Sequence, residues 1–343
     1  MSQRVNLILP HMPCLVMLAL WLRNLKTYRS TITGTVSVAM ARKCPNLESD
    51  FSEMLANERG VAVSYAADIL DHGDAAELAL SGLWPSVGKG LGEIVLSMED
   101  DCFISDPDEL SKAIKAVEDG TCDASGFKRG CANQELTSKT SEIWGTGEAA
   151  LWPGVLIARK ELFVKKTSTL SPKGYKRGDY IPYLDHTCRE DGAADTFVEW
   201  LWDLRSRGLS INCFDTDNHI HASSGHREQQ VTPDCPMSLH IGSLSAGANE
   251  RIYDLDRGRP LACDPVHAGG PMPPLTRDCL DSEEDEKRCA AWQFALDSSE
   301  GLAPEWYRAK FRLGLDYLRE QLGIDKAIES YYYNLISERI PLA

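Results

Sequence analysis

Val5-Asn6-Leu7-Ile8-Leu9-Pro10-His11-Met12-Pro13-Cys14-Leu15-Val16-Met17-Leu18-Ala19-Leu20-Trp21-Leu22 is the stretch on which the fold turns. Apolar and preceded by Arg4, it imitates a signal peptide or a membrane anchor. A spanning helix needs about 20 uninterrupted apolar residues, and Pro10, His11 and Pro13 interrupt this one. The stretch therefore reads as a buried strand over 5–9, a proline-bracketed turn, and a helix from Cys14 to Tyr28. Leu15, Leu18, Leu22 and Leu25 recur at three- and four-residue spacing, which gives that helix an apolar face to lay over the strand.

The same rhythm continues. Val36 to Met40 is a second strand, and a helix over 47–59 turns Phe51, Met54 and Leu55 inward and ends at Gly60. Val61 to Tyr65 is a third strand, 74–84 a third helix, and Glu93 to Met98 a fourth strand. Alternation of this kind predicts an α/β fold, a mainly parallel sheet with helices on both faces, because right-handed crossovers leave few other topologies. Ligands of such sheets bind beyond the carboxyl ends of the strands.

Beyond the fourth strand, Asp106, Pro107 and Glu109 mark a helix start with a cap, a first-position proline and a capping box. That helix buries Leu110, Ile114 and Val117 and stops at Gly120. Short elements follow over 122–127 and 156–163, then a helix from Asp195 to Arg207 before Gly208, and a strand over 211–214. The segment 218–277 is rich in Gly, Pro, His and Ser and reads as irregular. The charge run 281–288 reads as a solvated linker or first helical turn. In the helical tail Tyr307, Phe311, Leu315, Leu318 and Leu322 form one stripe, and Ile328, Tyr331, Leu335 and Ile336 another. Packing on the main domain is the first expectation for these stripes, and a homodimer interface is the second.

Composition narrows the classes. The 343 residues are 43% hydrophobic and 25% charged, ordinary for a globular chain with a sizeable core. A net charge of -15, from 36 basic and 51 acidic side chains, opposes nucleic-acid binding. Lys160, Lys165, Lys166, Lys173, Lys176 and Arg177 are too scattered to form a basic groove. Eleven cysteines with no CxxC pair read as reduced thiols, so the expected location is the cytoplasm, with no transmembrane segment.

The chemistry is concentrated at Glu99-Asp100-Asp101, directly after the fourth strand. Adjacent carboxylates raise one another's pKa, and a divalent cation removes that cost. In extended chain Glu99 and Asp101 point the same way and can reach one ion, whereas Asp100 points elsewhere, to a ribose hydroxyl or a structural partner. Oxygen ligands favour Mn²⁺ or Mg²⁺.

With these acids closing a set of βα units, the chain resembles the nucleotide-sugar glycosyltransferases of the GT-A type, whose D-x-D motif occupies the same place. The resemblance covers roughly 5–247 and implies a GT-A-like fold, with a nucleotide-sugar-binding half over 1–105 and an acceptor half over 106–250. Composition and the apolar stripes add an irregular linker over 251–287 and a C-terminal helical extension over 288–343. Glu99 stands where the family has its first Asp, which makes Asp101 the stronger ligand. By the same resemblance Pro10, His11, Asp68 and Lys89 border the nucleotide, a UDP-sugar by preference, and Arg227 closes on its diphosphate. Glu190 and Asp191, ahead of the 195–207 helix, match the acidic pair of inverting members, with Asp191 as base toward a hydroxyl acceptor such as a glycan. His240 is the expected histidine ligand, with His219-x-His221 as its rival.

Three competing readings remain open at this level. His219, His221 and His226 are a ligand set for a zinc hydrolase. A binding module that holds nucleotide-sugar without turnover is another. A sugar nucleotidyltransferase is the weakest, because Pro10-His11-Met12-Pro13 offers no glycine-rich phosphate loop.

Overall fold

The computed structural model describes residues 4–42, 44–67, 70–83, 93–128, 151–164, 166–183, 185–188, 191–194, 196–214, 219–220, 238–241, 252–254, 259–260 and 282–343. Strands β1 (Val5–His11), β2 (Val36–Met40), β3 (Val61–Tyr65) and β4 (Ile94–Met98) alternate with helices α1 (Leu15–Tyr28), α2 (Pro45–Ala56) and α3 (His72–Ser81). After β4 come β5 (Cys102–Ile104), α4 (Pro107–Glu118), β6 (Ala124–Lys128), β7 (Leu151–Arg159) and α5 (Lys160–Val164). Four short strands follow, β8 (Lys173–Tyr175), β9 (Tyr180–Ile181), β10 (His186–Thr187) and β11 (Gly192–Ala194), then α6 (Val198–Ser206) and β12 (Ile211–Phe214). The remaining strands are β13 (His219–Ile220), β14 (Ser238–Ile241), β15 (Tyr253–Asp254) and β16 (Arg259–Pro260). Helices α7 (Ser282–Ser298), α8 (Glu305–Leu322) and α9 (Lys326–Arg339) end the chain.

Seven strands make one sheet in the order β12-β6-β7-β4-β1-β2-β3. Its pairings are parallel except those of β7, which runs antiparallel between β4 and β6. Both faces are covered, and the period-two alternation of the strands sorts side chains between them. Leu7, Leu9, Val36, Val38, Leu96 and Ile157 point into one core with α1, α2, α4 and the C-terminal helices. Ile8, Ala39, Val95 and Leu156 point into the other, against α3, α5 and α6.

The sheet explains Pro10. The strand continues through Pro10 and His11 rather than turning at Pro10. Leu7 donates to Thr35 and His11 accepts from Ala41, so the odd residues of β1 bond to β2. Pro10 therefore faces the β4 side, where pairing has already ended at Ile8 opposite Ser97, and its missing N–H breaks no ladder bond.

The apolar stretch that imitates an anchor is buried on every side. Every residue from Leu15 to Leu22 is at most 1% exposed, because the sheet covers one side of α1 and the C-terminal helices cover the other. Among the described residues no helix is long and apolar enough to cross a membrane. The C-terminal helices begin at Ser282, so the charge run forms the first turns of a helix, the second of the two expectations for it, and Trp292, Phe294, Tyr307, Phe311, Leu315 and Leu318 join the main core. In α9 Ile336 is buried whereas Tyr331 is 63% exposed.

Two other expectations shift. Asp106 caps α4 by accepting from Asp108 N and Glu109 N, but Glu109 pairs with Lys112. The helix expected from Asp195 begins at Val198, after Phe197 in left-handed conformation (φ 65°), because 192–194 pair with β8 instead.

One buried amide ties the tail to the sheet side. Asn24, fully buried on α1, donates to Ile104 O (2.9 Å) and Pro341 O (3.0 Å) and accepts from Ile104 N (2.8 Å). Asn24→Ala strands these groups, and each buried polar group without a partner costs roughly 1–3 kcal/mol. We expect a loss of about 2–4 kcal/mol, read as a lower urea midpoint at unchanged slope. A wild-type midpoint would show that this amide does not hold β5.

Candidate metal centre

The acids sit where β4 runs out. Beyond Met98, Glu99 N donates to Gly154 O of β7 (3.0 Å), Cys102 N to Glu99 O (3.2 Å), and Ile241 N of β14 to Asp101 O (3.0 Å). The turn is thereby pinned between two strands from different parts of the chain. A carboxylate oxygen of Glu99, one of Asp101 and the sulfur of Cys102 lie within 4.8 Å of one another. Asp101 is only 8% exposed. Two carboxylates this close, one of them buried, repel unless a cation or protons intervene, and their hard oxygen donors fit Mg²⁺ or Mn²⁺. Burial first, and then the charges of Asp101, Glu99 and Asp100, push the Cys102 thiol well above its ordinary pKa. Without a cation it is a neutral neighbour, and the negative charge of the centre belongs to the two carboxylates.

Asp100 turns the other way. Its Oδ2 accepts from Met12 N (2.9 Å) and stands 2.8 Å from His11 Nδ1. His11 has no exposed surface, stacks on Phe51 with ring centroids 5.7 Å apart, and receives Cys14 N–H on Nε2 (3.5 Å). His11, expected to border the nucleotide, is a sealed ring whose Nδ1 faces Asp100. Of the two partners expected for Asp100, the structure supplies the structural one and locks the end of β1 to the end of β4.

A residue not singled out from the sequence joins the acids. His72, the first residue of α3, places Nδ1 3.1 Å from Glu99 Oε1. The sequence signal was Asp71-His72-Gly73-Asp74, a capped helix start at the mouth of the third βα unit, on the same sheet edge as the acids.

Strand register brings two of the candidate histidines to the same edge. β14 pairs antiparallel with β5, setting His240 opposite Cys102, and β13 pairs parallel with β14, setting His219 opposite His240. The two rival positions thus flank each other beside the acids. Asp68, Lys89, Glu190, His221, His226 and Arg227 lie outside the described residues.

Asp191 lies apart from the helix start expected for it, ahead of β11 rather than at the amino end of α6. It is exposed, accepting from Arg177 N (2.9 Å) and Lys176 Nζ (3.1 Å). The Arg177 N–H first, and then Lys176, hold its carboxyl below the usual value, so local donors do what the helix dipole was expected to do. Nearby, α6 buries Glu199, which accepts from Lys173 Nζ (2.6 Å), Tyr175 OH (2.5 Å) and Thr169 N (3.4 Å). Burial raises the Glu199 carboxyl, but these donors together outweigh it and leave its pKa lowered.

A depressed carboxyl stabilises the fold above its unfolded pKa and loses that contribution as pH falls through the folded one. Glu199→Gln should therefore lower the melting temperature near neutrality, and the gap from wild type should narrow once the pH drops below the ordinary glutamate value of 4.5. A gap independent of pH would show that the charge of Glu199 contributes nothing.

No family model and no curated protein matches the chain. Several solved structures do. TarS 1–349 of S. aureus is 13% identical, with 97% of this chain and 92% of that one covered at a TM-score of 0.40. The mannosyltransferase PcManGT from Pyrobaculum calidifontis, solved with GDP-Man and Mn²⁺, is 13% identical, covering 100% and 77% at 0.40. The galactosyltransferase LgtC, solved with donor and acceptor sugar analogs, is 12% identical, covering 89% and 99% at 0.45.

Proposed function

We propose that this chain is a metal-dependent glycosyltransferase that moves a sugar from a nucleotide-sugar donor to a hydroxyl acceptor. The observation that carries the reading is the convergence of Glu99 and Asp101 oxygens within 4.8 Å at the carboxyl end of β4. That edge is where parallel α/β sheets bind their ligands, and a paired carboxylate site suits a cation shared with a diphosphate. Glu99 and Asp101 would hold Mn²⁺ or Mg²⁺, with His240 as the further ligand. A bound cation would neutralise the charge that builds on the leaving nucleoside diphosphate.

The protein's own groups supply the rest of the reaction. Asp100, held by His11 and Met12, fixes the floor of the donor site by joining the ends of β1 and β4. Asp68, Lys89 and Arg227 are assigned to the donor, a UDP-sugar by preference, on the family resemblance. Asp191, kept ionised by Arg177 and Lys176, takes the proton of the acceptor hydroxyl. The acceptor oxygen bonds to the anomeric carbon as the bond to the diphosphate breaks on the opposite side, which inverts the configuration.

A thermal-shift panel of UDP-, GDP-, CMP- and dTDP-sugars with and without Mn²⁺ tests the donor assignment. A ligand at 100 times its Kd stabilises by about 2.7 kcal/mol. One sugar nucleotide should raise the melting temperature more with Mn²⁺ than without it, and Asp101→Ala should abolish the Mn²⁺-dependent part. A shift that Asp101→Ala leaves intact would remove the acids from donor binding. Once a donor is known, Asp191→Asn should preserve its binding and stop transfer, and turnover at the wild-type rate would exclude Asp191 as the base.

A further inference from the structure

The carboxylate that departs from the family pattern is Glu99, and a glutamate is harder to hold than an aspartate. Fixing its longer side chain costs more rotamer freedom. Asp101 is nearly enclosed by the fold, whereas Glu99 is more open, with 16% of its side chain exposed. We propose that His72 is the positioning residue that fixes the Glu99 carboxylate for the cation and thereby sets cation affinity. This inference rests on the reading of Glu99 and Asp101 as cation ligands.

The geometry around His72 favours that role. Asp71 caps α3 by accepting from Asp74 N (2.8 Å), which fixes the turn that carries the imidazole. Gly73 lets this turn approach the neighbouring segment, since a Cβ there would meet Ser171 Cα at 2.3 Å and Leu170 O at 2.4 Å. The ring lies against Phe197, with centroids 6.3 Å apart. Nδ1 stands 3.1 Å from Glu99 Oε1, while Nε2 is buried and makes no hydrogen bond among the described residues. Glu99 is therefore the polar group that the held ring addresses. Both the neutral Nδ1–H tautomer and the imidazolium can donate there, so the contact does not require a charged ring. Partners of this kind orient ligating groups, and their loss weakens metal binding by about 10–100-fold.

Mn²⁺ titration of the full chain, with free Mn²⁺ read by electron paramagnetic resonance, tests the proposal without any donor or turnover. His72→Ala should weaken Mn²⁺ binding by about 10–100-fold. His72→Asn, whose amide can donate from close to the Nδ1 position, should restore most of the affinity, whereas His72→Gln, whose amide reaches toward Nε2, should not. A merely structural role would lower the melting temperature without this split between Asn and Gln. Wild-type affinity in His72→Ala, with Asp101→Ala impaired, overturns the role of His72 and leaves the cation site standing. Wild-type affinity in Asp101→Ala removes the cation site, and this inference with it. Should His72→Ala fail to fold by circular dichroism, the other two variants decide, and equal affinities in them overturn the proposal.

Discussion

The first two turns of α1, Leu15 to Leu22, carry no charged residue and have to be covered on every side. The sheet can cover only part of them, since helices on a sheet normally keep a wet outer face. The remaining apolar surface would cost about 25 cal/mol per Å² left in water. Helices α7 and α8 remove it, with Trp292, Tyr307, Phe311 and Leu315 completing the core that contains Leu15 to Leu22. The C-terminal helices are therefore the other half of the α1 environment. Without them, the first βα unit would expose a patch of the size that drives association.

Charge imposes the second constraint. Three consecutive carboxylates at one strand end repel, and the fold divides them into groups of different consequence. Asp100 is bound to His11 and to a backbone N–H, so its charge has partners that belong to the protein. Glu99 and Asp101 converge on each other. Concentrated charge of that kind is a form in which a protein presents a site to a cation, because a bound cation relieves the repulsion between the two carboxylates. The neighbouring Cys102 thiol, pushed up by the same charges, registers how negative the corner is.

How much of this can be read from sequence follows from range. Local rules suffice for β1 to β4, for the Asp106 cap and for the outward turn of Asp100, since each depends on residues within one or two turns. They mislead at Pro10, where the decisive fact is that β4 stops pairing at Ile8. They mislead again at the start of α6, expected at Asp195, where strand pairing up to Ala194 and the left-handed Phe197 delay the helix to Val198. His72 escapes notice because its partner lies 27 residues away across a crossover, and only the shared sheet edge brings the two together. The C-terminal stripes were visible as stripes, yet nothing local tells that the first faces α1 while Tyr331 of the second stays in water.

The two constraints meet at β5. Ile104 is held at both its N–H and its C=O by Asn24 of α1, and the same amide binds Pro341 beyond α9. Three residues earlier on the chain is Asp101, whose carbonyl accepts from Ile241 of β14, the strand that brings His240 into register with Cys102. Packing around α1 thus fixes the backbone on which one carboxylate and the His240 position are mounted. The other carboxylate, Glu99, is anchored through its N–H to β7 and meets the first residue of α3 at its side chain. The site is assembled from the sheet, the α3 crossover and the tail-buttressed α1. A change that loosens the C-terminal helices should therefore disturb Asp101 before Glu99, because Asp101 directly precedes the strand that Asn24 holds whereas Glu99 directly follows β4 and is tied to β7.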